Sequence, residues 1–176
     1  MPSDNFGILF DLDQTLVDSQ CIKLLRDSRN WPEVYKNLHQ VKPYRGISDL
    51  LLKLKEDNIK IGVITSSPKP YCEKIIQQNK WVIDALVGYH DTSNHKPHPD
   101  PILFGLKKID VSIEHALSVG DMPKDIIASK KAGVMTVGVT WGCENIDDLI
   151  AAKPDKICNS VEELDAFIHT SFFDIK

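Results

Sequence analysis

Two aspartates separated by one leucine, Asp11 and Asp13, follow directly on the apolar run Gly7-Ile8-Leu9-Phe10. A single acid there would serve as a helix cap. Two acids where a buried strand runs out need a further reason, and three other segments supply it. Thr65-Ser66-Ser67 follows the apolar run at 60–64, Lys96 lies in "NHKPHPDP", and "VGDMPKD" brings Asp121 and, one helical turn later, Asp125. Acids gathered at one place repel each other unless a cation lies among them, and hard oxygen donors with water suit Mg²⁺. Such an ion neutralises charge and lets an anionic substrate approach a carboxylate nucleophile. Thr65 and the backbone N–H groups of the following helix start can hold phosphate oxygens, while Lys96 neutralises phosphate and nucleophile together. The set suits phosphoryl transfer, in which positioning and charge stabilisation supply most of the catalysis.

These residues can meet only if the chain alternates strands with helices. Apolar runs predict strands at Gly7–Phe10, Lys60–Thr65, Ala85–Val87, Ala116–Gly120, Val134–Val139 and, weakly, Lys156–Cys158. Ile47, Leu50, Leu51 and Leu54 recur at the spacing of a one-sided helix. Ile75 and Ile76 mark another, and Ile102, Leu103, Leu106 and Ile109 a third. Asp100-Pro101 reads as an N-cap followed by a first-turn proline. Gly133 after two lysines reads as a helix stop, and Ser160 with Glu163 as a capping box. The alternation implies an α/β fold of the three-layer, Rossmann-like kind: a parallel sheet with helices on both faces. In such a sheet ligands bind beyond the carboxyl ends of the strands. Asp11, Asp13, Thr65, Ser66 and Asp121 all lie at the ends of predicted strands or just beyond them.

The single departure is Asp18 to Lys42, which follows the first strand and carries no strand of its own in this reading. Trp31, Val34, Tyr35 and Leu38 mark a short amphipathic helix in it, capped by Asn30 with Glu33, and Ile22 with Leu25 marks a second. It is a helical insert too small to be a domain, so residues 1–176 are read as one domain with an insert at about 18–42.

With 42% hydrophobic and 26% charged residues the composition is that of a soluble globular protein. A formal charge of −4 gives no basic footprint for nucleic acid or anionic membrane. No apolar run approaches a membrane span, and Met1-Pro2-Ser3-Asp4-Asn5 is polar, without the pattern of a signal peptide. Cys21, Cys72, Cys143 and Cys158 form no CxxC pair and read as reduced thiols of a cytoplasmic protein.

Together the motifs resemble the haloacid dehalogenase (HAD) superfamily, in particular its phosphoglycolate-phosphatase-like and β-phosphoglucomutase-like branch. "FDLDQTLVDS" matches that family's first motif, "VITSS" its second, "KPHPDP" its third and "VGDMPKD" its fourth. They occur in order and span nearly the whole chain outside the insert. The resemblance implies that Asp11 is a nucleophile forming an aspartyl phosphate, and that Asp13 protonates the leaving oxygen and then activates water. It implies Mg²⁺ held by the Asp11 carboxylate, the Asp13 backbone carbonyl and Asp121, with Asp125 supporting Lys96 or a metal-bound water. Thr65, Ser66 and Lys96 would bind the phosphoryl group of a small phosphorylated substrate. The expected activity is that of a Mg²⁺-dependent phosphomonoester hydrolase. A phosphomutase is the nearest alternative, and a phospho-accepting signalling domain the alternative from another class.

Five features depart from the pattern or distract from it. Gln14 stands where many family members carry glycine, and Arg45 where a proline is common; Arg45 reads as a solvated side chain. His90, His95 and His98 fit no compact zinc spacing and read as a polar loop. Trp141 either lines the edge of a pocket or packs under a loop. The insert lies where relatives carry a helical cap but is much smaller than the four-helix caps of phosphoglycolate phosphatases, which implies a relatively open site.

Overall fold

A computed structural model describes residues 5–173; the polar segment Met1 to Asp4 lies outside the described residues. Six parallel strands form the sheet: β1 (Gly7–Phe10), β4 (Lys60–Ile64), β5 (Ala85–Val87), β6 (Ala116–Gly120), β7 (Met135–Val139) and β8 (Lys156–Cys158). Their spatial order is β5-β4-β1-β6-β7-β8. β1 therefore sits between β4 and β6, paired in parallel with both. The order reverses at β1, so the loops after β1, β4 and β6 converge beside one crevice.

Alternation along the strands divides the core. Ile8, Phe10, Ile61, Val63, Leu117 and Val119 point to one face and pack with α3 (Ile47–Glu56), α4 (Lys69–Gln78) and α8 (Val161–Phe173). Leu9, Ile64 and Ala116 point to the other and meet α5 (Asp100–Ile109) and α6 (Pro123–Lys131). Both faces are thus covered, which is why the central strands read as continuous apolar runs.

The expected elements are present with informative shifts. β7 starts at Met135 because Gly133, at φ +81°, ends α6 and Val134 donates its N–H back to Ser129. α5 takes Pro99 as its N-cap, so Asp100 is its first helical residue and not the cap; its carboxylate accepts from Asn94. Leu103 of that helix faces outward, 41% exposed. Ser160 Oγ caps α8 by accepting from Glu163 N–H, whereas the Glu163 carboxylate reaches the N–H of Asn159, one residue before the cap.

The insert differs most. It is tied at its base by an antiparallel ribbon of two two-residue strands, β2 (Val17–Asp18) and β3 (Lys42–Pro43), too short to leave a periodic signature. Between them lie α1 (Lys23–Asp27) and α2 (Trp31–Asn37), the latter without the expected side-chain cap from Asn30. Ile22, Val34, Leu38 and Val41 belong to the same core as Tyr71 and Cys72 of α4, the Trp31 ring lies 6.1 Å from that of Tyr71, and Gln78 donates to the Val41 carbonyl. The insert is therefore a buttress on α4 rather than a separate lid. No helix among the described residues is long and apolar enough to cross a membrane, and all four cysteines are free thiols.

Candidate active site

The loop after β1 is held rigidly. Leu12 and Leu16 are fully buried, and the Leu12 carbonyl accepts from the N–H groups of Thr15, Leu16 and Val17. This tight turn puts Gln14 at φ +66°, a left-handed conformation that glycine adopts at less cost. The strain is offset by bonds: Tyr44 OH donates to Gln14 Oε1 at 2.5 Å, and Gln14 N–H donates to the Val17 carbonyl. Trp141 packs here rather than lining the crevice: its indole N–H donates to the Thr15 carbonyl at 2.9 Å and its ring lies against Tyr44. Next to it, Gly142 lies so close to Gln14 that an added Cβ would sit 1.9 Å from the Gln14 carbonyl oxygen. The loop after β7 thus clamps the loop after β1.

Lys96 is the hub of the site, with its side chain 3% exposed. Its ammonium donates to Asp11 Oδ1 at 2.8 Å, Asp125 Oδ1 at 2.7 Å and the Ile64 carbonyl at 2.9 Å. All three N–H groups are spent within the protein, so a phosphoryl group would meet its charge rather than a spare donor. Burial alone would lower its pKa, but Asp11 and Asp125 beside it raise it and keep it cationic. Asp125 also caps α6, its Oδ2 accepting from Met122 N–H at 3.1 Å. The capping role and the Lys96 contact are therefore compatible, one on each oxygen. Gly120 leaves room for this fold-back: a Cβ there would be 2.4 Å from the Asp125 Cβ.

Asp121 is 3% exposed and receives Thr15 Oγ1–H at 2.9 Å. Carboxylate oxygens of Asp11, Asp121 and Asp125 lie within 4.8 Å of one another, with one ammonium among them. Burial, followed by the charges of Asp11 and Asp125, pushes Asp121 up to about 8. Burial likewise raises Asp11 to about 6, with Asp125 and Asp13 adding and Lys96 opposing. Three acids, two of them buried and Asp11 partly so, are short of positive charge with one lysine among them, and the all-oxygen donor set fits a hard divalent cation.

The Asp13 carboxylate turns away from that cluster. Its Oδ1 accepts from Arg26 Nη1 at 2.5 Å and Tyr71 OH at 2.6 Å, and its Oδ2 from Ser67 Oγ at 2.7 Å. Arg26 belongs to the insert, and its Nη1 also donates to Ser19. The buried Tyr71 hydroxyl has its pKa raised by burial and by Asp13, so it stays a donor. Thr65 is buried, with Oγ1 accepting from Ser67 N–H at 3.0 Å, while Ser66 is exposed at the start of the loop into α4. The sequence assigns no role to Arg26, Ser67, Tyr71 or Thr15. Thr15 and Ser67 at least lie inside the motif segments; Arg26 and Tyr71 carry no local signal.

A cavity of about 340 Å³ opens onto these groups, lined by Asp11, Asp13, Thr65, Ser66, Asp121 and Lys124 among others. The histidines of the 90–98 loop lie apart from it: His95 stacks on Tyr89, and His98 faces Asp100. Arg45 is exposed and is not among the residues lining this cavity.

Residues 22–139 match the family model for haloacid dehalogenase-like hydrolases. The chain is 32% identical over 126 residues to pyrophosphatase PpaX of Bacillus cereus, covering 70% of this chain and 58% of that protein. It is 27% identical over 157 residues to phosphoglycolate phosphatase of Escherichia coli, covering 87% of this chain and 62% of that protein. The chain thus spans about three fifths of the length of these curated relatives. Among solved structures, a hydrolase from Pseudomonas syringae superposes with a TM-score of 0.78 at 23% identity, covering 96% of this chain and 99% of the other. A haloacid dehalogenase-like family hydrolase from Streptococcus pneumoniae gives 0.77 at 21%, covering 93% and 98%. These two likenesses show the shared fold, and with the family match they lead to one conclusion: the chain belongs to the haloacid dehalogenase-like hydrolase family.

Proposed function

We propose that the chain is a Mg²⁺-dependent phosphatase that cleaves a small phosphorylated substrate through an aspartyl phosphate. The observation that carries this reading is the Asp11 carboxylate, held at one oxygen by Lys96 and set beside Asp121 and Asp125. The oxygen not held by Lys96 attacks phosphorus as the bond to the leaving oxygen breaks, and Asp13, turned from Arg26 towards the substrate and carrying a proton taken up from solvent, gives that proton to the leaving oxygen. Asp13 then takes a proton from the water that attacks the phosphorus of the aspartyl phosphate, releasing phosphate and restoring Asp11. Mg²⁺, held by Asp11, Asp121 and the Asp13 carbonyl, would neutralise charge between substrate and carboxylates. Thr65 OH and the N–H groups at the start of α4 bind the phosphoryl oxygens, and Lys96 offsets their charge. The printed names of the relatives, a pyrophosphatase and a phosphoglycolate phosphatase, fit this chemistry.

A phosphomutase would run the same first step but must hold its substrate away from water, for which the small, core-packed insert is poorly suited. A phospho-accepting signalling domain would keep its aspartyl phosphate, and Asp13 shortens that lifetime. The test is release of phosphate from p-nitrophenyl phosphate by purified protein with Mg²⁺. Asp11→Asn is expected to abolish it with the fold intact, and unchanged turnover in that variant would exclude the mechanism.

A further inference from the structure

A second cavity, of about 320 Å³, adjoins the first on the far side of Arg26 and shares Arg26, Asp27, Ser66 and Ser67 with it. Its remaining walls include Arg29, Trp31, Pro68 and Tyr89. Of the charges on it, Arg26 is matched by Asp13 and Asp27 by Lys23. Arg29 is the unmatched charge among the described lining residues. It occupies the residue that turns the chain from α1 towards α2, at φ +56°, with its N–H bonded to the Arg26 carbonyl. Glycine would take that left-handed position without strain, yet an arginine fills it. The Arg26 bonds to Asp13 and Ser19 both leave from Nη1, and the guanidinium also lies over the Tyr71 ring and interacts with the Tyr71 hydroxyl. Nε and Nη2 take no part in the bonds to Asp13 and Ser19, and a planar guanidinium can bind an anion in a forked fashion.

We propose that this second cavity is the subsite for the leaving portion of the substrate, and that it takes a second anionic group, a phosphate or a carboxylate, on Arg29 and the outer donors of Arg26. The proposal rests on the phosphatase reading above and deepens it by assigning the substrate class: phosphates whose leaving group is itself an anion. The phosphoryl group lies in the first cavity over Asp11, and the scissile bond passes Ser66 and Ser67, where the cavities join. Trp31, Pro68 and Tyr89 flank the second anion, while Arg29 stays exposed and attracts it as a partly solvated charge. The insert then contributes an anion receptor to the substrate, even though it is too small to cover it.

Binding can be read without turnover in the Asp11→Asn protein, titrated calorimetrically at one fixed Mg²⁺ concentration. The probes are inorganic pyrophosphate and 2-phosphoglycolate, which carry a second anion, against orthophosphate and methyl phosphate, which do not. The two-anion ligands are expected to bind at least about tenfold more tightly. Adding Arg29→Ala is expected to collapse that ratio towards one, and Arg29→Lys to restore part of it. Arg29 is exposed, so the substitution spares the core, and circular dichroism checks the fold. Which two-anion probe gains more distinguishes phosphate from carboxylate as the preferred second group. A ratio near one in the Asp11→Asn protein, or a ratio that survives Arg29→Ala, overturns the subsite. If p-nitrophenyl phosphate is hydrolysed while the ratio is near one, the subsite falls alone. If the Arg29-dependent ratio is present and no phosphate ester is hydrolysed, the phosphatase reading falls and the anion site stands.

Discussion

The charge deficit at the carboxylate cluster makes stability depend on pH in an unusual direction. An acid whose pKa is higher in the folded chain than in the unfolded one binds its proton more tightly when folded, so stability falls as pH rises between the two values. For Asp121 that window runs from 3.8 to about 8, and for Asp11 from 3.8 to about 6. Between pH 5 and pH 8 Asp121 keeps its proton in the folded chain and has lost it in the unfolded chain. Each pH unit then costs about 1.4 kcal/mol, or about 4 kcal/mol over the window from this group alone. For a domain of this size that is about 8 to 16 °C in Tm. Asp84 and Asp155, whose pKa values their hydrogen-bond partners hold low, lose their contribution only below this window. Thermal unfolding from pH 5 to pH 8 in EDTA is therefore expected to show Tm falling. Mg²⁺ is expected to raise Tm more at pH 8 than at pH 5, where protons compete for the same oxygens. Asp121→Asn is expected to flatten the slope in EDTA, raise the metal-free Tm at pH 8 and weaken the Mg²⁺ effect. A metal-free Tm that stays level or rises from pH 5 to pH 8, or an Asp121→Asn protein that keeps the slope, would refute the reasoning.

Other expectations follow from single contacts. Tyr71→Phe removes one of three donors to the Asp13 carboxylate, and should lower kcat about tenfold for alkyl phosphates, with a smaller loss for p-nitrophenyl phosphate, whose leaving group needs little protonation. Equal losses on both substrates would mean Tyr71 does not act through Asp13. Lys96→Met strips the cation from between Asp11 and Asp125 and should destabilise the metal-free protein by about 3–5 kcal/mol, measured by urea unfolding. Gly142→Ala places a methyl against the Gln14 carbonyl and should cost about 1–3 kcal/mol or more, with loss of activity as the loop bearing Asp11 shifts. Wild-type stability in that variant would show that the two loops are not clamped.

The sequence alone determined the sheet and the edge at which chemistry collects. Strand runs and helix periods are local signals, and a parallel sheet leaves few choices about which ends face the crevice. Hence Asp11, Thr65, Lys96, Asp121 and Asp125 could be named before any coordinate was known. The ribbon of the insert escaped because two-residue strands carry no periodicity, and the cap of α5 shifted because Pro99 and Asp100 compete for neighbouring places in the same turn.

Only the tertiary structure decided who holds whom. Arg26 and Tyr71 are thirteen and fifty-eight positions from Asp13, and what aims them at one carboxylate is the rotation of α1 and α4 about their axes. The insert is joined to α4 by Trp31, whose ring lies 6.1 Å from the Tyr71 ring, and by the Gln78 bond to the Val41 carbonyl, with Ile22, Val34 and Leu38 in the same core as Tyr71. Trp141 likewise looked equally suited to the pocket edge or to a loop, until the approach of Gly142 to Gln14 fixed it beneath the loop after β1. Pairings of this kind depend on packing between distant segments, and no spacing within the sequence encodes them.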